Sequence, residues 1–504
     1  MGTKNKVLEK VIGGYREISL LSKINSVLSW DQSVNLPTDA SAGRAEQIAY
    51  LTEKITEKWL DSEFKEGVDV LRETAINNNE IAVVRNLDSI GKYYWKVPKK
   101  LIVEIAETSA KAFMAWQEAR KNDDFKIFKP YLETLVGYNR KVVNYLGYFD
   151  NPYDALLNIY EPNLTASKVK DIFKVLQPEL TNVLKKIEES KVYIETEKNN
   201  LKDSTFSVEE QKKLANYILE KMNYDFSAGR MDISTHPFTE TLGGKDVRIT
   251  NRYKEDDFVE SMMVVMHEGG HALYEQGVDE KYEGTPLEGG TSLGIHESQS
   301  RFWENQIGRS LAFLKFIESA LLNSYPKQLA GHNAKKLYKE FNKVKPSLIR
   351  TEADEVTYNL HIALRFELEE ALINNKIKVK DLPEIWREKM QEYLGVMPKT
   401  DREGVLQDVH WSHDLMGYFP TYTLGNLYSA QFTMVLKKEL NLEKLVEKGE
   451  WGEILSWLRK NIHQYGALYP AEELVKKVTN ESLDSKYFLD YIKEKYSSIY
   501  SVNL

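Results

Sequence analysis

Apolar positions recur at helical spacing, about every 3.6 residues, through most of this 504-residue chain. The pattern predicts amphipathic helices over 5–27, 43–75, 97–122, 128–146, 166–192 and 208–222. After the middle it predicts more over 256–276, 294–322, 333–344, 352–374, 383–394, 424–448, 450–464 and 484–496. Residues 153–160 form an ordinary apolar stretch closed by Glu161-Pro162-Asn163. One region breaks the rhythm. Residues 231–253 read as strand, turn, strand, with Thr239 to Thr241, a turn at Leu242-Gly243-Gly244-Lys245, and Val247 to Thr250. The expected fold is therefore mainly α, with a small antiparallel sheet near 231–253. No internal repeat, low-complexity tract or interdomain linker is evident.

Composition narrows the function classes. Hydrophobic residues make up 42% and charged residues 29%, enough for a large core with a solvated surface. With no cysteine, disulfides, thiol nucleophiles and Cys-ligated metals are excluded, so any zinc must take His, Asp or Glu. Lys and Arg total 68 against 76 Asp and Glu, for a net charge of -8, which offers no bulk attraction to nucleic acid or anionic membranes. The first 20 residues mix charge throughout and lack an apolar signal-peptide core, and no apolar run is long enough to cross a bilayer. The expectation is a cytoplasmic protein, and abundant Glu and Lys fit heat adaptation.

The chemistry concentrates in Met263 to Gln276, MVVMHEGGHALYEQ. His267 and His271 are four residues apart, so one helix face presents both imidazoles to one metal ion, with Glu268 beside them as a candidate base. With nine His in the chain, this spacing is rare by chance. Val264, Val265 and Met266 predict a buried helix, where polar groups need partners. Gly269 and Gly270 serve either close helix packing or close approach of substrate backbone. A catalytic zinc needs a third protein ligand, and spacing leaves His296, Glu297 and Glu304 open.

The motifs now form an ordered series. They run His236-Pro237-Phe238; Asp246-Val247-Arg248-Ile249-Thr250; His267-Glu268-Gly269-Gly270-His271; His296-Glu297-Ser298-Gln299; Ile349 to Asp354; and Gly404 to Trp411. Ser29 to Gln32 with Arg44 to Gln47, and Gly417 to Asn426, extend it over nearly the whole chain. The series resembles the carboxypeptidase Taq family of thermostable zinc metallocarboxypeptidases. That resemblance implies a large, saddle-like helical zincin peptidase with a deep central cleft. It implies one metal ion per chain, usually Zn2+ with Co2+ able to substitute, and a homodimer. It assigns the third ligand to Glu297 and leaves His296 behind the ligands. The ordered motifs predict a single catalytic unit over 1–504, with two helical lobes around one cleft.

The expected activity is release of single residues from peptides with a free C-terminus. His267, His271 and Glu297 bind the metal, and Glu268 acts as base. His410 and Tyr422 are candidates for stabilising the oxyanion, with Tyr418 competing with Tyr422. Arg350 is the first choice for gripping the substrate carboxylate, oriented by Asp354 one turn on, and Arg248 the second. Arg248 also has a structural reading, as partner of Asp246 or Asp354. His236 lines the site or caps a turn. His332, His361, His413 and His463 are read as surface or core residues. The alternatives are a zinc oligopeptidase or dipeptidase-type enzyme with the same metal site, or a helical scaffold holding metal without turnover.

Overall fold

Helices carry most of the chain in the computed structural model, which describes residues 2–196, 201 and 204–504. The predicted helical segments recur with shifted ends. The 43–75 stretch divides into Ser41–Trp59 and Ser62–Thr74, because Asp61 accepts the Phe64 N–H and restarts the helix. The 424–448 stretch begins earlier, at Pro420, and divides into Pro420–Glu439 and Leu442–Lys448, restarted by Asn441. The helices Asn78–Lys96 and Ala471–Thr479 were not expected, and 153–160 proves to hold a short helix, Asp154–Tyr160.

The expected hairpin is present, as β2 (Thr239–Gly243) antiparallel to β3 (Asp246–Asn251). A third strand, β1 (Met231–Ile233), adds parallel to β3, so the sheet is mixed, in the order β1-β3-β2. Val247 and Ile249 of the central strand are fully buried.

The chain divides into two compact units. The first holds Met1–Gly91, Asn200–Phe341 and Tyr428–Leu483. Its centre is the helix Phe258–Glu275, apolar on nearly every face, opened by Asp257 accepting the Glu260 N–H and packed on the sheet and on Val208–Lys221. The second unit holds Lys92–Asn199, Asn342–Leu427 and Asp484–Leu504, built around the almost wholly buried helix Tyr358–Ile373. Among the described residues no helix is long and apolar enough to cross a membrane.

Candidate metal centre and a second polar cluster

The helix Phe258–Glu275 carries His267, Glu268 and His271, and the helix Leu293–Arg301 brings Glu297 to them. The two helices approach closely because Gly270 has no side chain. A Cβ there would lie 2.6 Å from the Gln299 carbonyl oxygen and 2.7 Å from Ser300 Cα. A Cβ on Gly269 would meet Met222 at 2.9 Å. Both glycines are thus occupied by helix packing, which replaces the substrate-approach reading.

Glu297 Oε2 lies 3.8 Å from His267 Nε2 and 3.6 Å from His271 Nε2. Among the described residues these three form the group whose ligand atoms converge as metal donors would. Donors at zinc bond lengths in a tetrahedron stand about 3.4 Å apart, so the set fits a small divalent ion with little movement. The opposite ring nitrogens are already engaged. His267 Nδ1 lies 2.9 Å from Glu304 Oε2, and His271 Nδ1 lies 2.6 Å from His296 Nδ1. His296 Nε2 in turn faces Glu275 Oε1 at 2.8 Å. These contacts orient both rings with Nε2 toward Glu297, so Glu304 and His296 stand behind the two imidazoles.

Burial alone would raise the Glu297 carboxyl, but Arg301 and the two imidazoles hold it well below the usual carboxylate range. Arg301 Nε donates to Glu297 at 2.7 Å and Nη1 to Glu304 at 3.1 Å, bridging the two carboxylates. Glu304 sits in a π-helical stretch, Phe302–Gly308, which interrupts the single helix expected over 294–322. Such stretches recur at functional sites because the extra residue re-aims side chains. Burial lowers the His271 imidazole to about 3, leaving its lone pair available.

Glu268 is 7% exposed, and burial pushes its carboxyl up. The Thr239 hydroxyl lies 2.6 Å from its Oε2. His236 is exposed between β1 and β2, and its carbonyl accepts from Ser234 Oγ at 2.7 Å. Arg248 is paired with Asp246 through two 2.8 Å hydrogen bonds and lies over Trp30, matching its structural reading. His463 is fully buried against Gln299 at 2.9 Å and belongs to no metal-binding group among the described residues.

The second unit gathers the remaining candidates. His410 Nε2 lies 3.1 Å from the Tyr422 hydroxyl, and the Tyr418 ring centroid lies 5.3 Å from that of Tyr422. The Arg350 guanidinium stands 5.0 Å from the centroid of the Tyr422 ring. Burial, then the Arg350 charge, lowers His410 to about 3 and keeps it neutral. Arg350 is oriented by Asp408 and by the Tyr358 hydroxyl. The expected orienter, Asp354, does not reach it. Asp354 accepts the Val356 and Thr357 N–H groups and the Thr357 hydroxyl instead, because the predicted 352–374 helix starts only at Tyr358.

Arg301 and Asp408 were not anticipated. Arg301 had a signal, since Glu297, Arg301 and Glu304 are spaced four and three apart on one helical face. Thr239 had none, because its strand meets the helix Phe258–Glu275 only in three dimensions.

The family model described as carboxypeptidase Taq (M32) metallopeptidase matches residues 11–496. The thermostable carboxypeptidase 1 of Pyrococcus furiosus is 41% identical over 497 residues, covering 98% of this chain and 99% of that protein. Carboxypeptidase 1 of Bacillus subtilis is 38% identical, covering 96% of this chain and 97% of its own length. A solved structure of the Pyrococcus furiosus carboxypeptidase, described as apo-Mg, covers 97% of this chain and 99% of its own with a TM-score of 0.93.

Proposed function

The chain belongs to the carboxypeptidase Taq (M32) metallopeptidase family and is a metallocarboxypeptidase, and from that premise we propose that it uses zinc to release single residues from peptide C-termini. The convergence of His267, His271 and Glu297 beside a buried Glu268 carries this reading. Zinc held by those three would lower the pKa of a water and polarise the scissile carbonyl. Glu268 takes the water's proton and passes it to the leaving amine. His410 and Tyr422 donate hydrogen bonds to the developing oxyanion.

Arg350 is assigned to the substrate carboxylate. Its contacts with Asp408 and Tyr358 leave at least two of its five N–H donors for a ligand. His236 and Tyr418 are further substrate contacts in this reading, as is Arg248 through whatever its pair with Asp246 leaves available. In this reading the chain works as one catalytic unit over 1–504. The acidic, cysteine-free composition supports cytoplasmic operation, and the family resemblance supports a homodimer.

The test is metal analysis joined to a peptide panel with product masses. Zinc near one per chain and loss of one C-terminal residue at a time are expected. Equal cleavage of a peptide and its C-terminal amide would overturn the single-residue reading.

A further inference from the structure

We infer that Thr239 is a positioning residue for Glu268, its hydroxyl fixing how the carboxylate is turned. The inference rests on the reading of Glu268 as the base. Thr239 Oγ1 lies 2.6 Å from Glu268 Oε2 and 3.0 Å from the Glu268 backbone carbonyl, so it touches that residue at both ends. Among the described residues no other side chain hydrogen-bonds the Glu268 carboxylate. A glutamate has three side-chain torsions, and a base must present one oxygen in one place. A single strong donor on Oε2 removes most of that freedom and leaves Oε1 for the reaction.

The donor is itself held rigidly. Thr239 opens β2 and pairs with the fully buried Ile249 of β3. The preceding residue is pinned on both sides: the Phe238 N–H donates to Thr250 Oγ1 and its carbonyl accepts the Thr250 N–H, both at 2.9 Å. The Phe238 ring packs edge-on against Trp30, with centroids 5.4 Å apart. Threonine is also β-branched, so its χ1 is restricted before Glu268 arrives. A stiff strand thus delivers a stiff hydroxyl to the one flexible carboxylate whose orientation matters for proton transfer.

The experiment compares Thr239→Val, Thr239→Ala and Thr239→Ser with Glu268→Gln in the zinc-loaded enzyme. Valine and alanine remove the hydroxyl, and valine keeps the shape. Both are expected to lower kcat roughly ten- to a hundredfold, the scale of one hydrogen bond to a charged group. KM, zinc content and melting temperature stay near the parent, and serine restores kcat to within roughly threefold. An unchanged kcat in Thr239→Val and Thr239→Ala overturns the inference. So does a serine variant as impaired as valine, or a loss confined to zinc content. Full activity in Glu268→Gln is the distinct result that sinks the base itself, and the inference with it.

Discussion

Arg350 sets both Nε and Nη2 2.9 Å from one oxygen of Asp408, Oδ1. Arg365, fully buried, places its own Nε and Nη2 2.6 Å from the other oxygen, Oδ2. One carboxylate is therefore shared as the counter-ion of two guanidinium groups. Burial alone would raise the Asp408 carboxyl, yet the two arginines hold it far below the usual range. Replacing Asp408 by Asn leaves both charges buried without a counter-ion, a loss on the order of 3–5 kcal/mol. The expected outcome is a clear drop in melting temperature together with reduced kcat/KM. A variant that melts with the parent would show that the pair is dispensable for stability.

The proposed roles divide metal binding from proton transfer. Glu268→Gln is expected to abolish turnover with zinc content intact, whereas Glu297→Gln loses zinc. Glu304→Gln replaces the charged acceptor on His267 Nδ1 with a neutral amide and should weaken zinc affinity about 10- to 100-fold. Chelator competition measures all three variants. Retained zinc affinity in Glu297→Gln would contradict the assigned ligand set.

Two glycines should respond in opposite directions. Gly270→Ala drives a Cβ to 2.6 Å from the Gln299 carbonyl and should destabilise by roughly 1–3 kcal/mol. Gly13 lies in the helix Gly2–Val34, exposed, with nothing within 4 Å of an added Cβ. Gly13→Ala should stabilise by up to about 1 kcal/mol through helix propensity. Thermal melting of both variants checks the contrast, and a neutral Gly270→Ala would refute the packing argument.

Stability should also respond to pH through Asp414. Burial pushes this carboxyl up to about 7, and the Asn139 amide donates to it at 2.5 Å. Between the ordinary aspartate value and about 7, the folded chain keeps a proton that the unfolded chain releases. The group's contribution to stability therefore falls as pH rises across that window and is flat above it. Asp414→Asn keeps the acceptor and suits the left-handed backbone, φ 61°. Its stability relative to the parent should climb through the window by up to about 1.4 kcal/mol per pH unit. Denaturant midpoints at several pH values measure this, and a difference independent of pH would rule it out.

Much of the site was readable because its chemistry is local. His267, Glu268 and His271 lie within five residues of one helix, and helical geometry alone places both imidazoles on one face. The helical segments and the β2–β3 hairpin followed from periodicity and turn residues. The third candidate donor did not follow from spacing, since His296, Glu297 and Glu304 share one stretch of chain. The family resemblance singled out Glu297, and the ring orientations agree with it: the Nδ1 atoms face Glu304 and His296, and the Nε2 atoms face Glu297.

The sequence by itself determined the helical class, the exclusion of thiol chemistry, and a metal site of histidine and carboxylate. Short-range periodicity and residue chemistry suffice for these, because each depends on neighbours a few positions apart. Only the tertiary structure decided that Gly269 and Gly270 serve packing, that Asp408 rather than Asp354 orients Arg350, that β1 joins the sheet in parallel, and that Thr239 meets Glu268. Each of those depends on which distant segments share a surface, and no local pattern along the chain encodes that choice.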